Sequence, residues 1–147
     1  VLLSSLLCGK KDKRHSIRNS NNYGQATQTE TQVSVLAYGN SVMSITKFDK
    51  EIFEYQKSDI NSGKIDDQGD SYKKFITTAN YKLDLRCDFK KGYSYWNRIK
   101  VDYDNDGNWD EKWTYQKNGK IRREVSPDDD EKYDYTYFLK ADEWEKK

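Results

Sequence analysis

Long apolar runs, aliphatic side chains, proline and histidine are all scarce in this chain. No stretch approaches the about 20 consecutive apolar residues that a membrane-spanning helix needs; the nearest is VLLSSLL at residues 1–7. Leu, Ile, Val and Phe together make up less than a fifth of the 147 residues. With a large net charge, that composition would read as disorder. The charge is balanced instead, with 26 basic against 25 acidic residues and a net of +1. The 12 Tyr and 4 Trp supply apolar area that aliphatic counts miss, since each buries roughly 150–250 Å². A single, mainly β domain with a small aromatic-rich core follows. Mean hydropathy of −1.16 keeps that core shallow. The balance of charge also argues against a nucleic-acid partner, because binding phosphate backbones needs a clustered basic surface. The only basic cluster is Lys10, Lys11, Lys13 and Arg14. The one proline, Pro127, lies in an acidic loop, so the β segments lack the residue that most blocks sheet pairing. The one histidine, His15, lies in a polar stretch far from any nucleophile pattern, and no Gly-rich phosphate loop occurs. With 25 acidic residues, carboxylate pairs are inevitable and carry no weight for glycoside chemistry. The chain is expected not to be an enzyme.

The seven N-terminal residues run into Cys8-Gly9-Lys10-Lys11. An apolar run ending at a cysteine, then a small residue and lysines, resembles the end of a bacterial lipoprotein signal peptide, with Ser5-Leu6-Leu7-Cys8 as a relaxed lipobox. The resemblance implies that Cys8 becomes the first mature residue and carries the lipid. Residues 1–7 are then the remnant of a signal peptide, which normally runs 15–30 residues, so the natural chain is expected to begin upstream. Residues 8–32 hold the lipidated cysteine and a polar tether, GKKDKRHSIRNSNNYGQATQTETQ. As a flexible coil it spans about 27 Å. The basic cluster beside Cys8 is either solubilising charge or an attraction for anionic head groups. The alternative is that VLLSSLL forms a buried strand with Cys8 as a core thiol, but the polar stretch would leave such a strand isolated. Cys87 is then a lone buried thiol, or, in an oxidising compartment, the partner of Cys8 in a disulfide.

From Val33 to Lys147 the pattern becomes β-rich. Residues 33–38 and 42–48 read as a hairpin across Gly39-Asn40. A helix at residues 49–57 is disfavoured, because Phe53-Glu-Tyr55-Gln-Lys57 matches Trp113-Thr-Tyr115-Gln-Lys117, and each runs into an Asn-Gly-Lys-Ile cluster, at residues 61–65 and 118–121. The second copy predicts strand, type I′ turn, strand. With the aromatic pairs Tyr93/Tyr95 and Tyr135/Tyr137, this suggests a meander or stacked β-hairpin repeats. The W-T-Y-Q-K-N-G-K-I stretch resembles the repeat of MORN-type proteins.

One motif carries metal chemistry. Residues 102–110 read D-Y-D-N-D-G-N-W-D. Alternate spacing lets Asp102, Asp104 and Asp106 converge as the backbone curls, and Gly107 permits the sharp turn. Ca²⁺ takes six to eight oxygens, so the Asn108 carbonyl and Asp110 are further candidate ligands, with Trp109 packing inward. Trp113 stands where an EF-hand needs Glu, and the flanks read as strands rather than helices. The loop instead resembles the D-x-D-x-D-G-x-x-D loop of FG-GAP repeats, which implies a structural Ca²⁺. Acidic, solvated turn residues are the alternative, with Lys100 and Lys112 as neutralising charge. A second loop 24 residues on, S126-P-D-D-D-E-K-Y-D134, reads as a degenerate copy, with Glu131 where glycine is expected.

These observations predict a non-enzymatic lipoprotein of the bacterial cell envelope, on the outer membrane or cell surface. It would be held to the membrane through Cys8, with a calcium-stabilised β domain that binds another macromolecule, protein or glycan. The alternative is a carbohydrate-binding module using Tyr93, Tyr95, Trp96 and Trp113 as a stacking face. Against that stands core or cross-strand packing of the same rings.

Overall fold

A computed structural model describes residues 41–147. The lipobox, Cys8, the tether and residues 33–40 lie outside them. The described residues form one nine-stranded antiparallel sheet with a single α-helix. Strand β1 is Val42–Ser44 and helix α1 Lys47–Lys57. The strands β2 (Lys64–Ile65), β3 (Tyr72–Thr77), β4 (Lys82–Cys87), β5 (Arg98–Asp102) and β6 (Glu111–Tyr115) follow. The last three are β7 (Ile121–Val125), β8 (Tyr135–Lys140) and β9 (Glu143–Lys146). From β2 to β9 each strand pairs with the next, so the sheet is a meander; β1 adds beyond β9. The fold is thus mainly β, as composition and patterning predict.

Alternation drives the packing. In β4 Leu83, Leu85 and Cys87 point to a buried face, in β5 Ile99 and Val101, and in β6 Glu111, Trp113 and Tyr115. Side chains with period two share one face of a strand, and the register joins them: Leu85 faces Ile99, Ile99 faces Trp113, Trp113 faces Arg123 and Arg123 faces Tyr137. The helix lies against this face. Phe53 meets Trp113 and Trp144 with ring centroids 5.6 and 6.4 Å apart, and Phe48 meets Tyr81 and Tyr103 at 5.0 and 5.2 Å. Among the described residues no helix is long and apolar enough to cross a membrane.

Helix α1 overturns the expectation of a strand at residues 53–57. Thr46 caps it: its hydroxyl accepts from Asp49 N–H (3.0 Å), while Asp49 Oδ2 accepts from Thr46 N–H (3.1 Å). That capping box starts a helix whose buried side, Phe48, Asp49 and Ile52, follows helical rather than strand spacing. The likeness of Phe53–Lys57 to Trp113–Lys117 is therefore not structural. A one-turn 3₁₀ segment at Ile60–Ser62 takes the place of the first expected turn. The hairpin expected across Gly39-Asn40 has its first arm outside the described residues; its second arm ends as a strand at Ser44 and pairs with β9.

The hairpin at Asn118-Gly119 exists, joining β6 to β7, but its turn is not type I′. Gln116 N–H bonds Lys120 O (2.9 Å) and Gly119 N–H bonds Gln116 O (3.0 Å), with only Gly119 at positive φ (83°). This is a three-residue loop closed by a left-handed glycine. The two-residue type I′ turn lies instead at Ala141-Asp142, φ 49° and 62°, between β8 and β9.

Candidate metal centre

Strands β5 and β6 position the acidic loop. Asp102 is the last residue of β5 and only 1% exposed. The chain curls back because its backbone N–H groups donate to the loop's own carboxylates. Asp102 Oδ2 accepts from Gly107 N–H (2.9 Å), Asp104 Oδ1 from Asp106 N–H (3.2 Å) and Asp106 Oδ1 from Asn108 N–H (2.9 Å). Asn105 and Gly107 take positive φ, 59° and 97°, a conformation that Asn and Gly tolerate. One carboxylate oxygen each from Asp102, Asp104 and Asp106 then falls within 4.8 Å of the others. Ca²⁺–oxygen distances of about 2.3–2.6 Å put opposite ligands about 5 Å apart, so the three fit one hard cation. Two like charges at 4 Å repel by about 1 kcal/mol in water and by more toward a low-dielectric interior. A cation held among the three carboxylates offsets such repulsion. The Asp102–Asp104–Asp106 group can hold a metal ion.

The other two expected ligands are the Asn108 carbonyl and Asp110. Asp110, 7% exposed, accepts from Tyr103 N–H through Oδ2 (2.7 Å) and closes the base of the loop. Its own N–H bonds Val101 O (2.8 Å), continuing the ladder. Asn108 is exposed and turns its Nδ2 toward Asp106 and Asp129 (3.4 Å each). Trp109 does not pack inward. It is half-buried on the opposite face of the sheet from the core, beneath Lys82 and Lys100 at 5.4 and 5.6 Å from its ring.

The second acidic loop repeats the first more closely than its sequence indicates. Shifting by 24 residues maps β5 and β6 onto β7 and β8 with the register kept: Ile99 faces Trp113 and Arg123 faces Tyr137, Val101 faces Glu111 and Val125 faces Tyr135. Positive φ recurs at the same loop positions, Asn105 and Gly107 against Asp129 (59°) and Glu131 (58°). The side-chain turn recurs too, with Asp130 Oδ1 accepting from Lys132 N–H (2.9 Å) as Asp106 does from Asn108. The loops also touch, through Trp109 N–H to Glu131 Oε1 (3.2 Å).

The expected stacking face is mostly closed. Trp96 and Trp113 are both 0% exposed. Trp113 belongs to the core, and Trp96 donates to Ser58 Oγ (3.2 Å) behind the helix terminus. Tyr93 and Tyr95 are half-buried and pack edge to face at 5.6 Å. Trp96 and Trp113 are closed to a ligand, and Tyr93 and Tyr95 turn to each other, so the four rings do not form one stacking face. Cys87 is a free, fully buried thiol whose Sγ donates to Tyr93 O (3.4 Å). Burial pushes that thiol up from its ordinary value. Phe75, which the sequence offers only as a lone counterpart of the aromatic pairs, is the one exposed large aromatic of the described residues, at 56%.

No family model, no curated protein and no solved structure matches this chain.

Proposed function

We propose that this protein is a non-enzymatic, lipid-anchored component of a bacterial cell envelope, with a β domain that Ca²⁺ stabilises at Asp102, Asp104 and Asp106 and that binds another macromolecule. The observation that carries the metal reading is the convergence of these carboxylates within 4.8 Å on a hairpin loop already curled by its own backbone. An all-oxygen donor set of this kind favours a hard cation, and extracellular modules typically bind Ca²⁺ at about 10⁻⁴–10⁻³ M. Binding to the folded loop adds to folding free energy, so the ion's role is structural. The anchor reading rests on the residues around Cys8.

Titration of the full chain with Ca²⁺ tests the metal. Millimolar Ca²⁺ raises the melting temperature and shifts Trp emission, since Trp109 belongs to the loop's own chain segment, and Asp106→Ala removes both responses. A parent protein indifferent to millimolar Ca²⁺ would overturn the site. For the anchor, lipid incorporation in cells is expected to disappear in Cys8→Ser; labelling that persists there would rule Cys8 out.

A further inference from the structure

The face of the sheet turned away from the helix carries side chains that the core does not use. The register sets one row across six strands: Phe75, Asp84, Lys100, Lys112, Glu124 and Thr136. Three aromatic rings lie along this face, each with lysine against it. Phe75 has Lys82 at 5.5 Å, Trp109 has Lys82 and Lys100 at 5.4 and 5.6 Å, and Tyr133 has Lys112 at 4.6 Å. Trp109 and Tyr133 occupy the same position of the 24-residue repeat. Two hairpins so related are two strand spacings apart, roughly 9–10 Å.

We propose that this outer face binds a linear acidic polysaccharide, stacking sugars on Phe75, Trp109 and Tyr133 and pairing their carboxylates with Lys82 and Lys100, while Lys112 stays paired with Glu124 (3.0 Å). The inference rests on the reading of the domain as a binder of macromolecules and supplies the class of its ligand. Three features support it. Phe75 is more than half exposed on a β-strand, with only Lys73 and Lys82 reaching over its ring at 5.8 and 5.5 Å. Lys82 and Lys100 form no salt bridge of 4.0 Å or less among the described residues; both lie against aromatic faces, and Lys100 also stands across the ladder from Asp84, whose carboxylate it attracts. Contacts of that kind are weak at exposed positions, so a ligand carboxylate draws the ammonium groups aside and opens the rings. Finally, the charges are mixed, with Lys73, Arg86, Arg98 and Arg122 on the same face as the three lysines and two carboxylates among them. Asp84 and Glu124 interrupt the cations, and Asp84 Oδ1 accepts no hydrogen bond in the structure. A phosphodiester chain, with a negative charge at every unit, meets repulsion at both carboxylates. A glycan that alternates charged and neutral sugars offers carboxylates to the lysines and hydroxyl donors to Asp84 and Glu124.

The test uses the full chain with oligosaccharides of hyaluronan and of heparosan, which alternate glucuronate and N-acetylglucosamine in different linkages, followed by calorimetry and Trp fluorescence. Saturable binding is expected, with none to neutral maltooligosaccharides. Phe75→Ala, at an exposed position, weakens it at least tenfold while leaving the melting curve in place. Lys82→Gln combined with Lys100→Gln weakens it similarly and flattens its dependence on salt. Failure to bind either glycan overturns the proposal. So does binding that ignores Phe75→Ala, which marks unspecific attraction to polyanions, or equal binding to oligothymidylate, which marks a nucleic-acid face. The Ca²⁺ response of the same samples reads the metal site separately, and a protein partner captured without glycan binding would leave the broader binding reading standing.

Discussion

Five non-glycine residues among those described hold positive φ: Asn105, Asp129, Glu131, Ala141 and Asp142. Asn and Asp visit this region readily, whereas other L-residues lose roughly 1–2 kcal/mol there. Ala141 bears that cost with no side-chain bond in return. Ala141→Asn is therefore expected to stabilise the protein by about 0.5–1 kcal/mol, read as a higher urea midpoint at unchanged slope; a lower midpoint would contradict the type I′ geometry. Glu131→Gly should gain less, because it also removes the acceptor for Trp109 N–H. A second residue-scale effect is acid sensitivity. Asp66 accepts from Ser71 Oγ (2.7 Å) and Asp70 N–H (2.9 Å), and these bonds, helped by Arg86, bring its carboxyl down to about 2. Asp88 is also lowered: burial pushes it up, but bonds from Arg98, Asn97 and Arg86 outweigh that. A lowered folded value means that the unfolded chain binds more protons between the two titrations. The stabilisation is full above the unfolded value near 4 and is lost as pH falls toward about 2. Urea midpoints measured across that window should fall less steeply in Asp66→Asn than in the parent.

At the scale of elements, the path from α1 to β2 depends on one close approach. Gly63 lies where an added Cβ would meet Trp96 Cη2 at 2.6 Å and the Lys73 carbonyl oxygen at 2.7 Å. Its φ of −88° is open to any residue, so space and not backbone conformation requires glycine. Gly63→Ala should destabilise by about 1–3 kcal/mol through overpacking and quench or shift Trp96 emission; a neutral effect would mean that the two segments separate cheaply. Sequence reading treated this glycine as a turn signal paired with Asn61. It was legible as a glycine of consequence, but its partner is 33 positions away. Helix α1 was legible in principle from Thr46, Asp49 and the spacing of Phe48, Ile52 and Phe53. The local likeness of Phe53–Lys57 to Trp113–Lys117 masked it, because a five-residue pattern of alternating aromatics fits a strand and a short amphipathic helix alike.

For the whole molecule, the deciding feature is a charged group inside the aromatic core. Arg123, 1% exposed, donates to both oxygens of Glu111 (2.6 and 2.9 Å) and lies 3.4 Å from Asp49. Trp113 Nε1 donates to Glu111 (2.8 Å) and Trp144 Nε1 to Asp49 (3.0 Å), and both indole rings face the guanidinium at 5.1 and 5.3 Å. Burial pushes Asp49 up, against the attraction of Arg123. This group ties α1 to β6, β7 and β9. Removing the cation alone leaves two buried carboxylates, so Arg123→Met should cost about 3–5 kcal/mol. Adding Asp49→Asn and Glu111→Gln should recover part of that loss. Urea unfolding of the single and triple variants reads the difference, and a triple variant less stable than the single would contradict the account.

The sequence by itself determined the mainly β class, the aromatic core and the curled acidic loop, because strand alternation, ring count and Asx turns are local or compositional properties. Asp102, Asp104 and Asp106 converge through bonds spanning two to five residues, which is why their grouping could be read from spacing. Tertiary structure decided the rest. It closed Trp96 and Trp113 into the interior and left Phe75 and Trp109 on the outer face among lysines. Which face of a strand is buried depends on what packs against the sheet, and here that is a helix joining β1 at one edge to β2 at the other. No window of neighbouring residues contains that information.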